Sequence, residues 1–341
     1  MTKLNTAIAE TGWVLADGAT GTNYFKQGLE TGYPPELWNV ERPEEVGALH
    51  AAFIDAGSQL VLTNSFGGTH HRLRLHEAQH RVGELNHAAA RLARVAADAG
   101  RDRNGRAVLV AGSIGPTGEL FAPMGALDYD DARAAFTEQA EALAEGGADL
   151  LWVETMSSLE EVQAAIDAAA STGLEVAACM TFDTAARSMM GVTPADFARQ
   201  AAGFGAACVG ANCGIGPAEL LHSVREMVPV VETPVIAKGN CGIPEYVDGG
   251  IHYHGTPELM AEYACFARDA GISIIGGCCG TTPDHVAAMA AALRATPARV
   301  FDSDAALAAL GRPWKDVPAP GEARPAGGAG RRGRGRRRGR D

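Results

Sequence analysis

Residues 149–181 read DLLWVETMSSLEEVQAAIDAAASTGLEVAACMT, and this stretch decides the fold. A short apolar run at 149–153 gives way to the polar ETMSS segment. Residues 159–171 then carry the apolar period of a helix, and 175–181 are again mostly apolar. Strand, helix and strand in direct succession form the repeating unit of parallel α/β folds. Outward from it the unit recurs. Further strands are expected at 13–16, 59–63, 107–112, 206–211, 234–238 and 272–276. Further helices are expected near 43–56, 78–99, 129–146, 194–203, 217–227, 256–270 and 284–295. Eight strands alternating with eight helices over ~290 residues are the pattern of a (β/α)8 TIM barrel. An open doubly wound sheet is the alternative. Residues 1–312 are assigned to the barrel, with a last helix within 296–312. Residues 313–330 read as a Pro/Gly linker and 331–341 as an Arg-Gly tail, both disordered.

The balance of 46% hydrophobic and 21% charged residues in 341 can fill one large core. The tail RRGRGRRRGRD contributes +6 to a total of −12, which leaves −18 on the body. So acidic a body argues against nucleic acid as the main partner, and the tail reads as a solvated end. No apolar run approaches ~18 residues, so no membrane span is expected. The first residues, MTKLNTAIAETGW, lack the apolar core of a signal peptide, and a cytoplasmic location is expected. The seven cysteines are then expected to be reduced, so special spacing among them points to metal or catalysis. Self-association into a homo-oligomer is compatible with the sequence and not specified by it.

A polar or glycine-rich segment follows each expected strand, and in a (β/α)8 barrel such segments converge on the face that carries the active site. Cys213 follows the sixth strand, and Cys278 and Cys279 follow the eighth. Those strand ends lie roughly 10 Å apart, within reach of side chains closing on one ion. Three thiolates suit Zn²⁺, and three protein ligands leave one position open, as in catalytic sites. Gly276, Gly277 and Gly280 are expected to permit the backbone angles that adjacent ligands require. Small buried thiols are the alternative reading, and the expected one for Cys179, Cys208 and Cys265. Cys241 follows the seventh strand and stands as an extra thiol of open role.

The segments DGATGT (17–22), TNSFGGT (63–69), GSIGPTGEL (112–120), ETMSSLEEVQAA (154–165), GANCGIGP (210–217) and GGCCGTTPDH (276–285) together resemble the homocysteine S-methyltransferase family. The likeness spans roughly 13–295, and its wording most resembles bacterial betaine–homocysteine methyltransferases. It implies that Cys213, Cys278 and Cys279 bind zinc. It also implies that Asp17, Glu154 and the amides of Gly18 and Ala19 hold the amino-acid end of homocysteine. Carboxylates suit its ammonium, and N–H donors of a glycine-rich turn suit its carboxylate. The implied reaction moves a methyl group to the homocysteine thiol, whose pKa the metal lowers, and gives methionine.

A trimethylammonium donor such as betaine, which would leave as dimethylglycine, suits an aromatic cage. Tyr24, Phe25, Tyr33, Trp38 and Phe66 lie near the mouth, and Tyr33, Trp38 and Phe66 are taken as donor contacts. Animal betaine enzymes resembling this chain carry an aromatic residue after the counterpart of Phe66, where Gly67 stands here. In that feature the chain is closer to the homocysteine module of cobalamin-dependent methionine synthase, whose donor would arrive on a separate corrinoid protein. A donor such as S-methylmethionine is a further alternative.

Overall fold

The computed structural model describes residues 2–183, 185–242, 244–247 and 250–314, and the side chains of the 244–252 segment lie outside that description. The expected linker and tail fall outside the described residues from 315 onward. The strands are β1 (Val14–Leu15), β2 (Leu60–Leu62), β3 (Leu109–Ile114), β4 (Leu150–Met156), β5 (Glu175–Met180), β6 (Cys208–Cys213), β7 (Val235–Gly239), β8 (Pro244–Val247), β9 (Gly250–Tyr253) and β10 (Ile274–Gly277). Eight of them form one parallel sheet in the order β1-β10-β7-β6-β5-β4-β3-β2. A parallel bridge between Ala16 and Leu60 joins its two ends, making the expected (β/α)8 barrel. All eight expected strands are present, with ends displaced by a few residues.

The strands read as continuous apolar runs because both of their faces are buried. Successive side chains point to opposite faces, so each strand divides its residues between two cores. Val14, Leu60, Leu62, Leu109, Ala111, Leu150, Trp152, Ala177, Cys179, Cys208, Ile236 and Ile274 fill the barrel interior. Leu15, Val61, Val110, Leu151, Val153, Val176, Ala178 and Val209 face the helices instead. Cys179 and Cys208 are therefore packing residues at 0% exposure.

The eight expected helices are present, and their starts follow from local chemistry. Ser158, Asp128, Thr193 and Thr256 each accept the N–H three residues on, satisfying a donor that the first turn leaves orphaned. Proline opens the helices at 43, 194, 217, 257 and 283, where a missing N–H costs nothing. The last helix is Ser303–Leu310. Elements that were not expected include the antiparallel hairpin β8–β9, the helix Lys3–Thr11 and the short helices Gly21–Lys26, Trp38–Glu41 and His70–Arg74. Helix Lys3–Thr11 inserts Leu4 into the barrel interior from below, with Ala7 and Ile8 against it. Among the described residues no helix is long and apolar enough to cross a membrane.

Helix Pro43–Ala56 buries His50, whose Nε2 has no hydrogen-bond partner. Burial lowers its pKa to about 4, and nearby Asp17 opposes that only in part. The unfolded chain thus takes up a proton near 6.5, which the folded state refuses until about 4. Stability contributed by neutral His50 is complete above 6.5 and is lost as pH falls toward 4, by about 3 kcal/mol. Urea denaturation between pH 7 and 4 is expected to show this slope, and His50→Gln to flatten it. An equally steep variant would assign the acid sensitivity elsewhere.

Candidate active site

A cavity of about 480 Å³ opens over the C-terminal ends of the strands. It is lined at its floor by Ser113, Glu154, Thr155, Cys213, Lys238, Cys278 and Cys279, and above by the β1 and β2 loops. A larger cavity of about 640 Å³ lies at the opposite end, against helix Lys3–Thr11. We assign the chemistry to the smaller one. It holds the thiols, and barrels build their active sites at the strand C-termini.

Cys213 ends β6 in the left-handed region at φ 62°, and Thr155 near the end of β4 does the same at φ 61°. Non-glycine residues rarely adopt this conformation, and where they do the surroundings hold them, often at functional sites. Asn212 supplies the hold on Thr155. Its Oδ1 accepts the Thr155 N–H at 2.8 Å, and its Nδ2 donates to Thr155 Oγ1 at 2.7 Å. The β4–β5 register also shifts between Val153 and Met156, which turns the strand end toward the mouth.

On the other side Cys278 N donates to Gly239 O at 2.6 Å, and Cys279 N donates to Asn240 Oδ1 at 3.0 Å. Asn240 Nδ2 donates in turn to Gly214 O at 2.6 Å, so one side chain ties both cysteine-bearing loops together. Of the three glycines expected to relax this turn, only Gly280 has a positive φ, at 81°. Gly276 and Gly277 instead leave room for close neighbours. A Cβ on Gly277 would lie 2.3 Å from Thr281 Cγ2.

The sulfurs of Cys213, Cys278 and Cys279 all lie within 4.8 Å of one another, and Cys213 and Cys279 are 4.0 Å apart. Tetrahedral zinc with Zn–S of ~2.3 Å places sulfurs ~3.8 Å apart, so the donor set fits such an ion. The Cys278 thiol is held above its ordinary value, first by its hydrogen bond to Cys213 against an opposing bond to Cys279, then by burial. Three buried thiols this close cannot all ionise unless a cation compensates them. Cys241 is buried at 1% exposure beside Gly280, and its sulfur is not in the group.

Glu154 lines the floor and is 7% exposed. Its carboxylate accepts from Ser113 Oγ at 2.6 Å and from Asn212 Nδ2 at 3.2 Å. Burial pushes its pKa up to about 6, against the Ser113 bond and the charge of Lys238. Asp17 is placed differently. Its carboxylate receives Lys238 Nζ at 2.6 Å and Leu62 N at 2.8 Å, at 2% exposure and behind the cavity wall. Gly18 and Ala19 line the cavity, and the Ala19 N–H is given to Thr281 O at 3.1 Å.

Tyr33 and Phe66 line the upper cavity, and the Tyr33 hydroxyl donates to Glu41 at 2.7 Å. Trp38 is not a lining residue. It is 3% exposed and packs on Tyr24 with ring centroids 5.2 Å apart. Sequence reasoning missed Ser113, Asn212, Lys238 and Asn240, whose only signal was their place at strand ends.

Fold and site together define a (β/α)8 barrel whose cavity floor gathers three thiols fit to hold a metal ion. Residues 14–293 match the homocysteine S-methyltransferase family, and the chain belongs to that family. It is 31% identical over 295 residues to the methionine synthase of Mycobacterium leprae, and 32% identical over 296 residues to that of Mycobacterium tuberculosis. Those alignments cover 82% of this chain but 24% of each relative, so the chain spans about a quarter of their length. Among solved structures it resembles the metallated form of the homocysteine methyltransferase MmuM from Escherichia coli. The TM-score is 0.71 and the identity 26%, over 84% of this chain and 99% of that one. The oxidized form of the same protein superposes with a TM-score of 0.72.

Proposed function

We propose that this protein transfers a methyl group from a small onium donor of the betaine type to the thiol of homocysteine. The products are methionine and, from betaine, dimethylglycine. The observation that carries the reading is the group of three sulfurs within 4.8 Å at the floor of a cavity. Cys213, Cys278 and Cys279 would hold zinc, which when bound lowers the pKa of a thiol that joins it.

The chain's own groups do the rest. Glu154 and the turn at Gly18 and Ala19 would face the amino-acid end of homocysteine. Asp17 would act from behind that turn, joined to Lys238. Ser113 and Asn212 fix the Glu154 carboxylate, so little reorganisation is left when substrate enters. Phe66 and Tyr33 would cover the donor and exclude water. The homocysteine thiol gives up its proton to solvent, and its sulfur attacks the donor methyl in line. The S–CH₃ bond forms, the bond from methyl to nitrogen or sulfur breaks, and its electron pair stays on the departing amine or thioether.

The similarity to methionine synthases over a quarter of their length favours a second reading. In it the chain is a homocysteine module served by a methyl-corrinoid protein. One assay separates the two. Zinc-loaded protein is incubated with homocysteine and either betaine, dimethylsulfonioacetate, S-methylmethionine or methyl-cobalamin, and methionine is measured. Turnover with an onium donor is expected. Turnover with methyl-cobalamin alone would replace the first reading by the second.

A further inference from the structure

The upper cavity contains two charged side chains that the site described so far does not use. Glu36, in the short turn Pro35–Leu37, lines it and is 5% exposed. Its Oε1 accepts the Gly67 N–H at 2.6 Å. Arg72, on the helix His70–Arg74, lines the same cavity and is half-buried. Its guanidinium reaches toward the β3 loop, where Nη1 would lie 3.1 Å from a Cβ on Gly118. Neither side chain forms an ion pair within 4.0 Å among the described residues, with each other or with anything else.

This is costly unless a ligand completes it. A buried carboxylate with no cation in contact loses hydration that distant charges only partly replace. Burial does push the Glu36 pKa up, and the charges of Arg72 and His76 pull it back, so the groups sense each other across the cavity. The carboxylate is also held in place. Asn64 Nδ2 donates to Pro35 O at 2.7 Å and to Asn39 Oδ1 at 3.0 Å, and Asn39 Nδ2 donates to Asn64 O at 2.8 Å. This reciprocal pair pins the Glu36 turn to the β2 loop. Glycine at position 67 lets the carboxylate lie this close to the backbone, since a Cβ there would stand 2.9 Å from Glu36 Oε1.

We infer that Glu36 and Arg72 form a dipolar receptor for a zwitterionic methyl donor, with the onium centre beside Glu36 and the donor's carboxylate on Arg72. The inference rests on the onium reading of the preceding section and names which charges select the donor. Phe25, Tyr33 and Phe66 also line this end, and their rings add attraction for the cation. The donor cation becomes neutral as its methyl leaves, so Glu36 stabilises the bound ground state more than the transition state. Its loss therefore acts on KM more than on kcat.

The test uses zinc-loaded full-length protein with homocysteine and two sulfonium donors. Dimethylsulfonioacetate carries a carboxylate and trimethylsulfonium does not. Glu36→Gln keeps an acceptor for the Gly67 N–H. It is expected to raise KM for both donors roughly 10- to 100-fold, with kcat within about threefold. Arg72→Met is expected to raise KM for dimethylsulfonioacetate by a similar factor and to leave trimethylsulfonium nearly unchanged. Homocysteine affinity and metal content, measured alongside, should not move. Wild-type turnover with both variants unaffected would overturn this inference and leave the onium reading standing. No wild-type turnover and no calorimetric binding with either sulfonium or with betaine would remove both.

Discussion

Cys278→Ser is expected to yield a folded barrel that retains less than about a tenth of the wild-type metal and transfers methyl groups at least ~10³-fold more slowly. The argument is geometric. Three sulfurs lie within 4.8 Å, so removal of one leaves two soft ligands and a hydroxyl where the ion needs three thiolates. The fold should survive. Cys278 is only partly exposed, yet its backbone N–H bond to Gly239 O does not depend on its side chain. The matched control is Cys241→Ser. That thiol is buried beside Gly280 but lies outside the sulfur group, so metal content should stay near wild type. Elemental analysis and far-UV circular dichroism on both variants read the comparison directly. Equal metal loss in the two would turn the site into a closed four-thiolate centre, which suits a structural role better than a catalytic one.

The barrel and the sulfur group were legible in the sequence for related reasons. Strands buried on both faces read as near-continuous apolar runs, broken by polar residues mainly toward their C-terminal ends, so even the two-residue β1 stood out as WVLA. The cysteines stood out because Cys213, Cys278 and Cys279, like Cys241, sit at strand ends, where barrel topology brings distant residues together. What was hidden depends on partners far along the chain. Nothing in the local sequence shows that Lys238 reaches Asp17, 221 positions away, or that Asn240 bridges Gly214 and Cys279. Periodicity also cannot say which loop aromatic turns inward. Trp38 and Phe66 read alike as donor contacts, yet Trp38 is locked against Tyr24 while Phe66 stays 36% exposed at the cavity. Glu36 gave no signal at all. A glutamate after two prolines reads as a solvated turn, and only the closeness of Gly67 shows that it is buried.

Lys238→Met is expected to destabilise the protein by about 3–5 kcal/mol, among the largest single losses available outside the apolar core. Lys238 and Asp17 are each 2% exposed, and their ion pair at 2.6 Å is the contact that keeps either charge tolerable inside the barrel. The ammonium also donates to Asp17 O at 3.0 Å, the same oxygen that accepts from Gly277 N at 3.0 Å. One side chain thereby ties β7 to the residues after β1, with β10 lying between them in the sheet. Methionine matches the aliphatic stem but leaves a buried carboxylate with the Leu62 N–H as its remaining side-chain partner. Asp17→Asn in the same background removes the stranded charge and can keep that hydrogen bond. The double variant should therefore recover more than half of the lost stability, a coupling that a double-mutant cycle in urea measures. Methyl transfer should not recover with it. The Gly18–Ala19 turn that follows Asp17 lines the cavity, and the ion pair is the charged one of the contacts that set its register against the thiols, beside the Ala19 N–H bond to Thr281 O. Stability and activity restored together would mean that the pair serves folding alone. Stability restored without activity would place Lys238 among the residues that position the substrate.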